Sequence, residues 1–497
     1  MGVSAYIVFI GYLLLVIVIG YLTSKGSEKQ FLVAGQNQPY WVVGAGYVAT
    51  YLSAASFLAT PGLVYHQGFM GNGAYLGSVF GYMGGLALFG PMLRRFGKVT
   101  IPDFLGDRYD SNVVRALSAC LIFVGYFLYI SVEIIGIAFL FELMFGVSYL
   151  TAIFIAMAVI LIYTVLGGMM ATAFTDVFQH FFTWISAVIV GTAAMINVGG
   201  VSGLVNKITE LHPDFLTISN GTGDATLIWG LFFTWVIGTL ARADTISRAY
   251  LAKSEREVYK AVLFATPFIW ICTFFFLLVG LMGAVLFPGL DGTQAEQVYL
   301  IMADKVVFPI FTGLAFAGFL ASAQSTTSGQ LMVSALAVGR DIYGRLVGPL
   351  LKKRPIDDKE VVRVTRLAIL VMSVLSFLFA AFRFTWMLDI ITVSMAIMGP
   401  AFLVTWLGGF FWKRATRAGA IAAMVVGSVT ASYTQITDFS IEAVPWLVAP
   451  LFSLIITVIA FIVVSMISSP SEKSLQVYKQ LRRPNTNKIG TKSDVGA

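Results

Sequence analysis

Seven polar residues occupy nine consecutive positions, 322–330, of a stretch that is otherwise apolar from about Val306 to Val338. They are Ser322, Gln324, Ser325, Thr326, Thr327, Ser328 and Gln330, within FLASAQSTTSGQ. On a helix, positions i, i+3 and i+4 are neighbours, so Ser322, Ser325 and Thr326 share one side. Uncharged hydroxyl oxygens are hard ligands of the kind a partly dehydrated Na⁺ prefers. A single buried Ser or Thr more often bonds back to its own helix or joins it to another. Seven together are harder to assign to packing alone, and Gly329 weakens the helix further.

A second polar interruption is VATYLSAASFLATPG, residues 48–62, where Thr50, Tyr51, Ser53 and Ser56 break an apolar run and Pro61 and Gly62 follow. A helix broken at mid-membrane frees carbonyls that can bind a cation, and its half-helix N-terminus can face an anion. A purely structural kink is the alternative. Ionisable residues at depth are scarcer: Glu133, Asp176, Arg242, Asp244 and, near a span end, Asp389. Intramembrane charges need a partner or a function. Arg242 is the basic residue at depth, so a Glu133–Arg242 pair is one expectation and neutralisation of Asp244 the other.

These residues must be positioned by membrane helices. Apolar residues make up 58% of the chain and charged residues 11%, with mean hydropathy +0.86; a soluble chain carries about 25% charge. Hydrophobic spans fall at roughly 4–23, 40–65, 72–93, 116–143, 148–166, 174–198, 227–246, 260–287, 306–338, 364–382, 385–411, 418–436 and 444–467. The expectation is an all-α polytopic membrane protein with thirteen transmembrane helices, since lipid offers the backbone no partners. The first span lacks a basic start and a cleavage site and reads as retained. Residues 1–467 form one transmembrane domain, and 468–497 a basic tail expected to be disordered. In the third span Gly73, Gly77, Gly81 and Gly85 recur every four residues, a face for close helix packing. Cys120 and Cys272 both fall in spans and read as packing residues, and three histidines exclude a His-rich metal centre.

With the N-terminus outside, all but Arg242, Lys207, Lys305 and Arg383 of the 32 Lys and Arg lie in segments on the C-terminal, cytoplasmic side. Glu210, Asp214, Asp224, Asp291, Glu296, Asp304, Asp438 and Glu442 lie on the other. This is the positive-inside pattern. It accounts for the net charge of +7 through a lipid-facing inner surface rather than nucleic-acid binding.

Five segments together resemble the bacterial sodium:solute symporters: VATYLSAASFLATPGLVYHQG, GKVTIPDFLGDRYDS, YTVLGGMMATAFTDVFQ, the polar stretch continued as QLMVSALAVGRDIY, and GGFFWKRATRAGAIAAMVVG. The motifs are most similar to sodium/pantothenate, sodium/proline and acetate permeases. The resemblance implies a leucine-transporter-like core with inverted repeats at about 40–198 and 227–411. It implies Na⁺ as coupling ion, bound by the carbonyls of Ala49, Leu52 and Ser322 and the hydroxyls of Ser325 and Thr326. Asp176 and Ser328 match a possible second Na⁺ site or pathway, although Gly329 stands where members with that site carry another hydroxyl. Tyr51, Ser53, Ser56, Glu133, Trp235 and Arg242 are the candidates for lining the solute cavity. The seventh span departs from the family in LARADTISRAYLAKSERE, where Arg248 aligns but Arg242 and Asp244 are unusual. Glu133 stands where pantothenate and acetate carriers tend to have Gln.

The expected function is Na⁺-coupled import of a small organic solute across the inner membrane by alternating access. A carboxylate such as pantothenate or a short monocarboxylate comes first, then an amino acid such as proline, then a sugar. H⁺ coupling through Glu133 or Asp176 is the alternative within transport. The expected partners are the lipid bilayer and the solute, with no oligomer required. An enzyme is disfavoured, since the chain has no HExxH, GxSxG or nucleotide loop.

Overall fold

The apolar runs fold as helices, as a backbone without water requires. The computed structural model describes residues 2–23, 26–382, 386–437, 439 and 448–482, without the side chains of 162, 163 and 166. Arg383, Asp438, Glu442 and the tail beyond 482 lie outside the described residues. Helices α1 (Val3–Thr23) and α2 (Glu28–Val33) precede α3 (Tyr40–Tyr51) and α4 (Thr60–Gln67), the two halves of the second span. Then come α5 (Gly73–Phe96), α6 (Ile101–Arg108), α7 (Asn112–Phe145), α8 (Tyr149–Val198), α9 (Gly200–Leu211), α10 (Thr226–Leu240), α11 (Ala243–Ile246) and α12 (Glu255–Leu286). The remainder are α13 (Gly292–Glu296), α14 (Val298–Lys305), α15 (Pro309–Leu336), α16 (Gly348–Lys352), α17 (Asp358–Ala381), α18 (Met387–Phe411), α19 (Arg417–Ile436), α20 (Ala449–Ile467) and α21 (Glu472–Arg482). Among the described residues ten helical segments are long and apolar enough to cross a bilayer.

The helix carrying the polar cluster occupies the centre. Every residue of α15 from Ala315 to Leu336 is buried, against α8, α1, α7 and α3 among others. Its hydroxyls and amides therefore never face lipid, which is how so polar a helix is tolerated at that depth. The outer faces of α1 and α17, by contrast, expose Leu14, Val18, Leu367 and Val371, as a lipid-facing surface requires.

The second span is broken, as its polar interruption implies, and two expectations about other spans are corrected. Leu52 takes an extended conformation (φ −83°, ψ 126°), and the chain re-enters helix through a wide turn, Ala55–Ala59, in which Thr60 N–H bonds Ala55 O. Pro61 explains the wide turn: it lacks an N–H and crowds the carbonyl four residues back. In the seventh span α10 stops at Leu240, and Arg242 is extended (φ −74°, ψ 117°) before α11 begins. Conversely, the fifth and sixth spans meet in α8 at a kink instead of a loop. There Gly168 adopts φ 58°, and a Cβ on it would lie 2.4 Å from the Phe31 ring, so both the turn and the seating of α2 need glycine.

The tail is ordered further than expected. α21 buries Val477, Tyr478 and Leu481. Arg108, itself fully buried, donates to Ser474 Oγ (2.7 Å), Gly409 O (2.6 Å) and Trp412 O (2.9 Å). A basic helix whose apolar side has a surface to cover and a buried arginine to anchor it folds against the protein. Cys272 is buried in packing, whereas Cys120 is exposed.

The glycine stripe of α5 lies against α10. A Cβ on Gly73, Gly77, Gly81 or Gly85 would meet Ile228 O at 2.3 Å, Phe232 O at 2.2 Å, Thr239 Oγ1 at 1.8 Å or Leu240 O at 2.8 Å. Gly77→Leu is expected to destabilise the fold by about 1–3 kcal/mol through overpacking, measured as earlier thermal unfolding in detergent. Gly11→Leu, at a position where a Cβ would meet nothing within 4 Å, should leave the transition in place.

Candidate cation and solute site

The broken second span and the unbroken helix α15 meet at the centre of the bundle. Ser325 Oγ lies 2.8 Å from Ala49 O and 2.9 Å from Ser322 O, and Thr326 Oγ1 donates to Leu52 O at 3.1 Å. All five residues are buried. Ala49 and Leu52 stand at the end of α3, where the break removes the next helical turn and leaves carbonyls without intrahelical donors. Ser322 Oγ is buried without a hydrogen-bond partner. The structure thus gathers five neutral oxygens, three carbonyls and two hydroxyls, with no carboxylate among them.

The rest of the polar cluster serves other ends. Thr327 Oγ1 bonds back to Ala323 O at 2.7 Å, and Ser328 Oγ to Ser325 O at 3.2 Å. Gln324 Oε1 accepts from Tyr12 Oη (2.7 Å) and Gln179 Nε2 (3.3 Å), tying α15 to α1 and α8. Gln330 and Ser334, one and two turns beyond Thr326, are buried with their side-chain polar atoms unpartnered.

Asp176 is held in an ion pair with Arg248 at 2.6 Å, both side chains buried. Arg248 Nη2 also donates to Thr50 Oγ1 at 2.9 Å. Two glycines make room for the guanidinium: a Cβ on Gly329 would lie 2.8 Å from Nη2, and one on Gly46 3.4 Å from both Arg248 Nη1 and Asp176 Oδ2. The Ser328 hydroxyl is directed to its own helix and not to Asp176.

Of the two expectations for Arg242, the pair with Glu133 does not form and the neutralisation of Asp244 does. Arg242 Nε and Nη2 bind Asp244 at 2.8 and 2.7 Å, a fork that a residue two positions away in an extended turn can meet. Asp244 is completed by Tyr126 Oη (3.0 Å) and the Thr245 N–H (2.7 Å). Arg242 packs over the rings of Tyr129 (4.6 Å) and Tyr82 (5.4 Å), favourable cation–π positions. Glu133 instead accepts the Ala54 N–H at 2.9 Å through Oε2. Ser53 Oγ pairs with Tyr129 Oη at 3.1 Å. Tyr51 turns toward α12 and α5, with Thr273 at 3.0 Å and Ser78 at 3.3 Å. The Ser56 carbonyl accepts from Tyr75. Trp235 is buried with its indole N–H unpartnered.

The residues that the sequence left unnoticed are the tyrosines 82, 126 and 129, which knit Arg242 to the break, and an acid–base cluster at the basic end. There buried Asp103 meets Arg340 at 3.0 Å, Arg115 at 3.8 Å and Arg345 at 3.9 Å. Burial, and then the Asp103 charge, hold the carboxyl of Asp341 well above the usual carboxylate range. Three basic residues converging on the PDF motif from two distant segments were the available signal.

The family model of the sodium:solute symporter family matches residues 31–427. This chain belongs to that family, and is a multi-pass membrane transporter of small solutes with Na⁺ as coupling ion. Among its relatives is the osmoregulated proline transporter of Bacillus subtilis (strain 168), 28% identical over 94% of this chain and 96% of the relative. The high-affinity proline transporter of the same organism is 26% identical (88% and 94% covered), and a sodium/proline symporter of Staphylococcus aureus 27% (86% and 85%). A solved Na⁺-coupled sialic acid symporter in a substrate-bound outward-open state superposes with TM-score 0.79 at 20% identity, covering 95% of this chain and 99% of that one. The fold is accordingly all-helical and leucine-transporter-like.

Asp176→Asn leaves Arg248 as an uncompensated buried charge, at an expected cost of about 3–5 kcal/mol. The double variant Asp176→Asn/Arg248→Gln should unfold at a higher temperature than Asp176→Asn alone; equal or lower stability of the double variant would show that the pair is not coupled.

Proposed function

We propose that this protein imports a small amino acid of the proline type together with Na⁺, the ion being held by Ala49 O, Leu52 O, Ser322 O, Ser325 Oγ and Thr326 Oγ1. The observation that carries the cation assignment is the convergence of two α15 hydroxyls on the carbonyls released by the break. In the structure the hydroxyl protons lie between the oxygens; a Na⁺ there requires each hydroxyl to turn its lone pairs inward and the ring to widen slightly. Such a ligand set stitches α15 to α3, so an ion that binds one arrangement of these helices better than the other biases the carrier between states.

For the solute, three proline-transporting relatives of nearly full length support an amino acid. Arg242, the cation at depth that could have met a plain carboxylate, is engaged by Asp244. The inverted repeats at about 40–198 and 227–411 each contain one interrupted span, the arrangement such carriers use to build a midplane site. The termini lie with the N-terminus outside and the C-terminus in the cytoplasm, from the distribution of Lys and Arg. In this orientation each 100 mV of membrane voltage contributes about 2.3 kcal/mol per Na⁺ entering, roughly fifty-fold accumulation.

In proteoliposomes with a Na⁺ gradient, Thr326→Ala should raise the Na⁺ concentration for half-maximal proline uptake about tenfold or more, the worth of an oxygen facing a charge. Thr327→Ala, whose hydroxyl bonds its own helix, should leave it unchanged. An unaltered Na⁺ response in Thr326→Ala would remove that hydroxyl from the site.

A further inference from the structure

We infer that Glu133 binds the positively charged N–H of the solute through Oε1, and thereby selects amino and imino acids over nitrogen-free carboxylates. This rests on the amino-acid reading above. The first support is a charge balance. Of the five ionisable side chains buried around the two interruptions, Arg242 pairs with Asp244 at 2.7 Å and Arg248 with Asp176 at 2.6 Å. Glu133, 0% exposed, is left over. Its Oε2 is used by the Ala54 N–H, and its Oε1 has no hydrogen-bond partner.

The second support is position. Glu133 reaches the break itself. One turn before it, Tyr129 holds Ser53; nearly one turn after it, Gly136 brings the α7 backbone so close that a Cβ would lie 2.7 Å from Ala54 Cβ. The neighbouring guanidinium makes no hydrogen bond to the carboxylate: the Nε and Nη2 of Arg242 are spent on Asp244 and its Nη1 points to Tyr129 Oη at 3.4 Å. The proposed Na⁺ ligands come from α15 and the end of α3 and are not bridged to Glu133. A carboxylate oxygen accepts and cannot donate when ionised. A monocarboxylate anion brought alongside it is repelled, whereas a zwitterion presents an ammonium. A site built around such an acceptor discriminates strongly against analogues that lack the donor.

The test uses the purified full-length protein at saturating Na⁺ and calorimetric titration with matched pairs: proline and cyclopentanecarboxylate, alanine and propionate, leucine and 4-methylpentanoate, with N,N-dimethylproline as a charged solute lacking the N–H. The nitrogen-bearing member of a binding pair should bind at least about tenfold tighter, with N,N-dimethylproline as weak as the nitrogen-free acid. In Glu133→Gln the preference within the pair should shrink to about threefold or less, with the half-saturating Na⁺ unchanged. Nitrogen-free acids binding as well as their partners, or no binding by any nitrogen-bearing solute, would overturn the inference using wild-type protein alone. So would a Glu133→Gln variant that keeps the preference and shifts only its Na⁺ response, since Glu133 would then be the counter-charge of the ion. A preserved nitrogen preference that is indifferent to Na⁺ would strike the coupling reading and leave this one standing.

Discussion

A backbone carbonyl or N–H at the middle of a bilayer has no water to bond, and the interruption at Leu52–Ala54 exposes both. The rest of the site depends on how these groups are satisfied. Ser325 and Thr326 supply hydroxyls on the carbonyl side, Glu133 a carboxylate on the N–H side, and Tyr75 a phenol to the Ser56 carbonyl. The donors come from α15 and α5 and the acceptor from α7, so the break is where three helices report to one another. Any rearrangement of α15 against α3 must exchange these contacts for others of equal strength, and an ion is the natural replacement for a hydroxyl proton between two oxygens.

The second interruption, around Arg242, carries its charge differently. Arg242 and Asp244 close a local fork, and Arg248 reaches across to Asp176 on α8 and Thr50 on α3. Buried pairs of this kind add little net stability once desolvation is counted, and their best-attested role is to fix one arrangement among several. Here they pin the irregular segment 241–251 against α7 on one side and α8 on the other. Gly46 and Gly329 leave the space that Arg248 fills. The missing hydroxyl at position 329 is thus the room in which a fixed guanidinium sits.

Much of this was legible in the sequence because membrane folding is dominated by one strong signal, continuous apolarity, and exceptions to it stand out. The polar run 322–330 and the segment 48–62 were visible for that reason, and helical spacing put Ser322, Ser325 and Thr326 on one side, whereas the carbonyls of Ala49, Leu52 and Ser322 came only from the resemblance. The α5 glycines were readable from their period. Pairing of charges was readable only in part, Arg242–Asp244 being one of two alternatives the sequence left open. Asp176–Arg248 joins residues far apart in the chain, and Arg242 chose Asp244 over Glu133 because an extended residue at 242 turns its side chain back on its own segment. The helix ends were obscured likewise: 227–246 reads as one span although the helix stops at Leu240, and 148–166 and 174–198 read as two although α8 runs on through the bend at Gly168.

The chemistry of the five gathered oxygens bears on why a carrier would use them. A carboxylate in direct contact would hold Na⁺ more tightly, since ligand charge is the main lever on cation affinity, but an ion that binds too well cannot leave on the far side. Neutral carbonyls and hydroxyls give a site that fills at high Na⁺ and empties at low Na⁺. Glu133, a carboxylate in no ion pair, is kept off these oxygens, on α7, at the N–H side of the same break. Under the proposed assignments, cation and solute contact opposite ends of a single interrupted segment, Leu52 O on one side and the Ala54 cap on the other. Occupancy of each alters the geometry offered to the other through two residues of backbone, which is a short enough path for the two affinities to be coupled without any longer relay.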